Sequence, residues 1–289
     1  LAAVTERRAA LPGSCDCHFH VFGKPDAYPV RHENPLYALP TSGLSEALAM
    51  HARVGIDRGL LVHPTIYTTD NTLLVDSLAA IGNENYRGVA LVDETMSDAE
   101  LERLHAAGVR GARFHFMPKI GMVPDFASFR RTLERIAALG WFAKVFASGS
   151  ELAAVAPEII RAPLPILLDH MCKIDFSLGL DQPEHQLVLR LLERDHIWLQ
   201  LSNGDTAPDG PTAPPWAAAL PFGQAYFAAA PDRTVWGSDF PHVLYSYSGD
   251  PRRPVPDDAD LVRLLYGYLP DEAAREAVLV RNPARLAGW

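Results

Sequence analysis

The chain has 289 residues, 48% hydrophobic and 21% charged, an ordinary globular composition with enough apolar material for one large core. Its 35 acidic and 26 basic residues leave a formal charge of −9. This excludes the basic footprint of a nucleic-acid-binding protein, but not an anionic small molecule, because a few local arginines can dominate a pocket.

Eight short β-rich runs follow one another along the chain: "SCDCHFHVF" (14–22), "GLLVHP" (59–64), "YRGVALV" (86–92), "RGARFHF" (110–116), "WFAKVFA" (141–147), "PILLDH" (165–170), "IWLQLS" (197–202) and "RTVWGSD" (233–239). Segments with helical apolar spacing separate them, at 44–54, 72–81, 98–107, 126–139, 151–160, 185–193 and 216–229, with further helix at 258–268 and in "DEAAREAVLVRNPARL". Strand and helix alternating eight times predict an α/β fold, a single-domain (β/α)8 barrel. The alternative, a doubly wound open sheet, would need a Gly-rich phosphate turn after the first strand, where "FGKPDAYP" stands. Residues 1–13 read as an N-terminal extension and 14–289 as the barrel. "NGDTAPDGPTAPPW" (203–216) falls where a barrel keeps an active-site loop. No run has the length and apolarity of a membrane span or a secretory h-region, and three cysteines make no disulfide framework. A cytoplasmic protein with no membrane or nucleic-acid partner is expected, and a homo-oligomer stays open.

Strand alternation puts Asp16, His18 and His20 on one face of the first strand and Cys15, Cys17 and Phe19 on the other. Cysteines behave as small buried hydrophobes, so the second face is assigned to the surrounding helices and the first to the lumen. Two histidines at i, i+2 inside a barrel need hydrogen-bond partners or a metal. The sixth strand ends in "LLDHM" with His170 at its lip, and the eighth in "VWGSDFPH" with Asp239 at its lip and His242 just beyond. Polar groups at C-terminal strand ends are where barrels build their chemistry. His18, His20, His170 and Asp239 therefore form the candidate catalytic set.

"DCHFHVFG", "LLDHM" and "VWGSDFPH", together with "TDNTLLVDSL", "GVALVDETMSDAELERLHAAGVRGARFHF" and "NPARL", resemble the amidohydrolase superfamily, in its amidohydrolase-2 branch of 2-pyrone-4,6-dicarboxylate lactonases. The resemblance implies catalytic roles for His18, His20, His170 and Asp239, and a carboxylate-binding role for Arg113. It also marks departures. Phe146 stands where those lactonases have a substrate-binding tyrosine, and Lys119, Lys173 and Thr206 stand where they have arginines. A lysine offers a point charge in place of a bidentate fork, so the dicarboxylate itself is expected to be a poor substrate.

An HxH pair with a distant carboxylate is a fair zinc constellation, with His18, His20, His170 and Asp239 the candidate ligands. Lys144 is the one strand-borne lysine available as a carboxylated bridge, or as a lysine hydrogen-bonded within the barrel. Pyrone lactonases, by the resemblance, work without a divalent metal. The cofactor is thus none or one divalent metal such as zinc. Either way Asp239 acts as base toward water, and the histidines polarise a carbonyl directly or hold the ion that does so.

Further candidates for substrate contact are His115, Thr65, Tyr67, Asn203 and His242. Gln200 and Ser202 follow from strand seven, Tyr245 and Tyr247 would line an entrance, and Arg252 and Arg253 would reach over the mouth. Asp70 and Asn71 are read as a helix N-cap, and His32, His51, His105, His185 and His196 as surface. The expected function is hydrolysis of a lactone of a carboxylated small molecule in aromatic-compound or sugar-acid catabolism. A metal-dependent decarboxylase of an aromatic or muconate acid is the alternative, against which the absence of a strand-five histidine counts. A non-catalytic barrel that binds small acids is a third reading.

Overall fold

The computed structural model describes residues 9–32, 38–206, 214–246 and 255–289. Tyr247, Arg252 and Arg253 lie outside them, as does most of the expected extension 1–13. Eight strands form one sheet: β1 (Cys15–Phe19), β2 (Arg58–Val62), β3 (Tyr86–Leu91), β4 (Val109–His115), β5 (Phe142–Phe146), β6 (Ile166–Leu168), β7 (Ile197–Leu201) and β8 (Thr234–Trp236). Each pairs in parallel with the next in sequence. The sheet curls back on itself, and just beyond β8 Asp239 N–H donates to His18 O and His20 N–H to Phe240 O, both at 2.8 Å. The expected (β/α)8 barrel is the fold observed.

The helices α1 (Leu44–Val54), α2 (Thr72–Ile81), α3 (Asp98–Ala106), α4 (Phe126–Ala138), α5 (Gly149–Arg161), α6 (Pro183–Leu192) and α7 (Leu220–Ala229) alternate with the strands. Several begin on side-chain caps, as where Asp125 accepts from Ser128 N at the start of α4. Phe129, Leu133 and Ile136 then make the buried stripe of that helix. A short α8 (Val243–Ser246) follows β8, then α9 (Asp258–Tyr268), α10 (Glu272–Glu276), a π-turn over Ala277–Arg281 and α11 (Asn282–Ala287).

The apolar interior has two parts. The larger lies between strands and helices. The smaller fills the lumen floor with Cys15, Cys17, Leu60, Val62, Val89, Phe142, Leu167, Trp198 and Val235. The two cysteines therefore point into the lumen, opposite to the alternation argument, with their sulfurs 3.8 Å apart. The cause is a register irregularity between Asp16 and Phe19: three steps along β1 match two along β2. An extra residue in a strand reverses the alternation beyond it. Phe19 faces the helices, while His18 and His20 still face the lumen mouth.

Asp16 consequently faces outward, at the β1–β8 seam. Its carboxylate accepts from His18 N and Ser238 N, each at 2.9 Å, from Ser238 Oγ at 2.5 Å, and from His51 Nε2 of α1 at 3.2 Å. His51 and His185, expected at the surface, are buried. Both sit on the inward stripe of their helices, where Tyr86 and Tyr226 hydroxyls meet their Nδ1 atoms. Asn71 sits at the cap position of α2, but its side-chain amide bonds the backbone N and O of Leu91 and so clamps the end of β3.

The seam gives a first expected outcome. Asp16→Ala leaves buried donors on His18, Ser238 and His51 without an acceptor, at about 1–3 kcal/mol for each orphaned group. Urea unfolding should show a loss of about 3–5 kcal/mol after relaxation. A loss under about 1 kcal/mol would mean that the seam is held by the backbone alone.

Candidate active site

Strands β6, β7 and β8 each hand over to their loops through a non-glycine residue in the left-handed region: His170 at φ 50°, Asn203 at φ 59° and Asp239 at φ 64°. Such backbone is costly for residues with a Cβ and persists where the surroundings over-determine it. All three side chains turn onto one cavity of about 330 Å³ at the C-terminal mouth of the barrel.

At the base of the mouth is Asp169, a residue outside the candidate set drawn from the sequence. Its carboxylate is fully buried. Oδ1 accepts from His18 Nδ1 at 3.0 Å and lies 3.3 Å from Lys144 Nζ, and Oδ2 pairs with Arg113 Nη2 at 2.8 Å. Burial alone would raise its pKa, but His170, His18, Lys144 and Arg113 outweigh that and hold it well below the usual carboxylate range. Asp169 is an anion at any working pH.

That anion decides the tautomer of His18. A carboxylate accepts only, so Nδ1 of His18 carries the proton. His20 is set likewise by a main-chain carbonyl, with Nδ1 donating to Val62 O at 2.7 Å. Both Nε2 atoms are then lone-pair acceptors, yet they face each other at 3.1 Å. Burial depresses both rings, His18 well below its ordinary value and His20 to about 4, so neither supplies a shared proton near neutrality. Two lone pairs at this distance are reconciled by a cation between them. Asp239 Oδ1 supplies a third donor atom, 3.7 Å from His18 Nε2 and 3.9 Å from His20 Nε2. Imidazoles that ligate a metal ordinarily give their other N–H to a carboxylate or a carbonyl, as both do here. The donor set fits one divalent ion, with His18, His20 and Asp239 as the holders.

Asp239 Oδ2 accepts from Asn203 Nδ2 at 3.0 Å, and Asn203 Oδ1 in turn accepts from Lys173 Nζ at 2.5 Å. Oδ1 is left facing the ring nitrogens, including His170 Nε2 at 3.8 Å. Burial raises the pKa of Asp239, but His170, His18, His20 and Lys173 lower it by more. His170 Nδ1 meets Ser202 Oγ at 2.9 Å, and Ser202 also accepts from Gln200 Nε2 at 2.6 Å. Lys144 donates to Gln200 Oε1 and to Cys17 O at 3.2 Å. With Asp169, these give its ammonium three acceptors, the arrangement of a lysine hydrogen-bonded within the barrel.

Of the sequence candidates, His20, Thr65, Arg113, His115, Phe146, His170, Lys173, Asn203, Thr206 and Asp239 line the cavity, and His18 stands behind His20. Phe146 packs its ring under the Arg113 guanidinium, 5.4 Å from the centroid, and edge-on to His115 and His170. The cavity wall does not include Tyr67, Lys119 or His242. Tyr67 hydroxyl accepts from Gly23 N at 3.0 Å, Lys119 is exposed, and His242 Nε2 is 2.9 Å from Asp258 Oδ1. Tyr245 hydroxyl donates to Asp205 at 2.8 Å.

The family model described as "Amidohydrolase" matches residues 15–289. A 4-sulfomuconolactone hydrolase from Rhizobium radiobacter is 35% identical over 281 residues, covering 96% of this chain and 91% of that protein. A 2-pyrone-4,6-dicarboxylate hydrolase from Comamonas testosteroni is 31% identical over 95% of this chain and 90% of its own. Among solved structures, one from Agrobacterium tumefaciens superposes with a TM-score of 0.82 at 29% identity, covering 97% of each chain. No helix among the described residues is long and apolar enough to cross a membrane.

The buried imidazoles predict that stability falls in acid. His20 is lowered to about 4, and His63 and His170 to about 3, in each case chiefly by burial. In the unfolded chain the same rings titrate near 6.5, so below that pH the unfolded state binds more protons and stability falls as pH falls. Between pH 6.5 and 5.5 each of the three costs about 1 kcal/mol, about 3 kcal/mol together. Denaturant midpoints measured across this window should drop steeply, and a flat profile would mean that these rings are solvated or already charged in the folded protein.

Proposed function

The chain belongs to the amidohydrolase family, and we propose that within it the protein is a lactonase, opening the cyclic ester of a small carboxylated molecule by attack of water. The observation that carries this reading is the meeting of Asp239 Oδ1 with His18, His20 and His170 Nε2 atoms, at 3.7, 3.9 and 3.8 Å, in a cavity that also holds Arg113. The relatives named for lactone hydrolysis, at 31–35% identity over nearly the whole chain, support it.

In this reading Arg113 anchors the substrate carboxylate, with Phe146 holding the guanidinium flat. A water molecule sits against Asp239 Oδ1 and His170 Nε2. Both are acceptors, so its two O–H bonds point at them and a lone pair turns toward the ester carbonyl. In this reading His170 carries its proton on Nδ1, toward Ser202 Oγ at 2.9 Å, and leaves Nε2 as the acceptor. As the water oxygen bonds to the carbonyl carbon, Asp239 takes its proton. The ring C–O bond then breaks, and Asp239 returns that proton to the leaving oxygen. The products are a hydroxyl and a carboxylic acid on one open chain, and the acid gives its remaining proton to solvent to become a carboxylate.

Neutral His18 and His20 turn only their Nε2 lone pairs to the mouth, their N–H groups being engaged by Asp169 and Val62 O, so they do not themselves donate to the carbonyl oxygen. A divalent cation held by His18, His20 and Asp239 would supply that polarisation as a Lewis acid. Their Nδ1 bonds to Asp169 and Val62 keep both lone pairs aimed at one place.

Carboxylated lactones assayed by proton release in ¹⁸O-water test the reaction: hydrolysis puts one label into the new carboxylate, whereas an isomerisation within the molecule puts in none. Asp239→Asn should lower kcat roughly 10²–10⁴-fold with the fold intact. Near-wild-type turnover by that variant would remove Asp239 as the base. Arg113→Met should raise KM for a carboxylated lactone about 10–100-fold more than for its neutral methyl ester. It should also lower kcat for both, because Arg113 pairs with Asp169 as well. Equal KM effects on acid and ester would take Arg113 away from the substrate carboxylate.

A further inference from the structure

The cavity has two unlike ends. Its floor, made by the strand ends, is polar: His20, Arg113, His115, His170 and Asp239. Its collar comes from the segments beyond those strands, where Phe22, Ile120, Ile174, Phe176, Val243 and Leu244 form an apolar set beside Thr65, Lys173, Asn203 and Thr206.

On the floor, both ring nitrogens of His115 and the Nε of Arg113 are buried with no hydrogen-bond partner, although the residues are only 2% and 6% exposed. A buried imidazole left this way is costly, and His115 lines the cavity, so a ligand group placed there would satisfy it. The collar offers nothing comparable. The other cation on the wall, Lys173, donates to Asn203, which in turn holds Asp239 Oδ2. A second substrate anion drawing on Lys173 would compete with the arm that fixes the carboxylate, and would give up its water against six hydrocarbon side chains.

We propose that the substrate is a lactone with a single carboxylate, met by Arg113 and His115 on the floor, and with a hydrocarbon arm of several carbons received by the collar. This rests on the lactonase reading of the same site and names its substrate class.

The test is a series of monocarboxylated lactones of one ring size, carrying hydrogen, methyl, propyl or pentyl on the ring carbon remote from the carboxylate, with a dicarboxylated lactone as comparator. For the wild-type protein, kcat/KM should rise about threefold to fourfold per added methylene until the collar is filled. The dicarboxylate should fall about tenfold or more below the propyl compound. Phe176→Asn and Val243→Asn, read as the ratio of pentyl to unsubstituted rates, should flatten the slope. Turnover of the unsubstituted lactone with a flat or falling series, or with the dicarboxylate preferred, overturns this inference and leaves the lactonase reading standing. No turnover of any member overturns both.

Discussion

The Asp169 carboxylate is the constraint on which the rest of the site depends. It is one anion, entirely buried, shared by His18, Lys144 and Arg113. Buried charges persist only when paired, and removing one partner of such a group costs about 3–5 kcal/mol because the others are left uncompensated. Each partner is therefore immobilised for a reason that has nothing to do with substrate. The consequences reach the chemistry. Arg113 is pinned with part of its guanidinium on the cavity wall, Lys144 is turned onto Gln200, and Gln200 presents its amide N–H to Ser202 beside His170. His18 is left with its Nε2 lone pair facing the mouth.

The barrel contributes what a side-chain network cannot, namely the convergence of distant parts of the chain. His18 and Asp239 are more than 200 residues apart in sequence, yet the backbone bond from Asp239 N to His18 O places them side by side at the seam. Asp16 reinforces that seam from outside, bridging Ser238, the His18 amide and α1. Above the seam, the left-handed turns at His170, Asn203 and Asp239 swing side chains from strand direction onto the lumen axis. Strain of this kind is tolerated because both ends of each turn are fixed by hydrogen bonds.

The strand and helix order was legible from hydrophobic period alone, since buried parallel strands read as short continuous apolar runs and the helices as amphipathic stripes. The positions of His18, His20, His170 and Asp239 were legible as polar residues at strand ends. The facing of Cys15, Cys17 and Asp16 was not, because alternation fails across an irregularity that no local residue announces. Asp169 could have been found: it follows Leu167 by two, so the same alternation that points Leu167 inward points Asp169 inward too. The burial of His51 and His185 needed knowledge of which helical stripe meets which tyrosine. The apolar collar lies on segments beyond the strands, where period says nothing about direction.

The central claim is that Asp169 and the Val62 carbonyl hold both histidines of the pair as Nδ1–H tautomers, with two bare Nε2 atoms facing one point. Long-range ¹H–¹⁵N spectra of histidine-labelled protein between pH 6 and 8 read this directly. Both Nε2 resonances of His18 and His20 are expected at the position of an unprotonated ring nitrogen, with Nδ1 protonated throughout. In Asp169→Asn that preference should be lost for His18 and kept for His20. A proton on Nε2 of either ring in the wild-type protein across this range would contradict it.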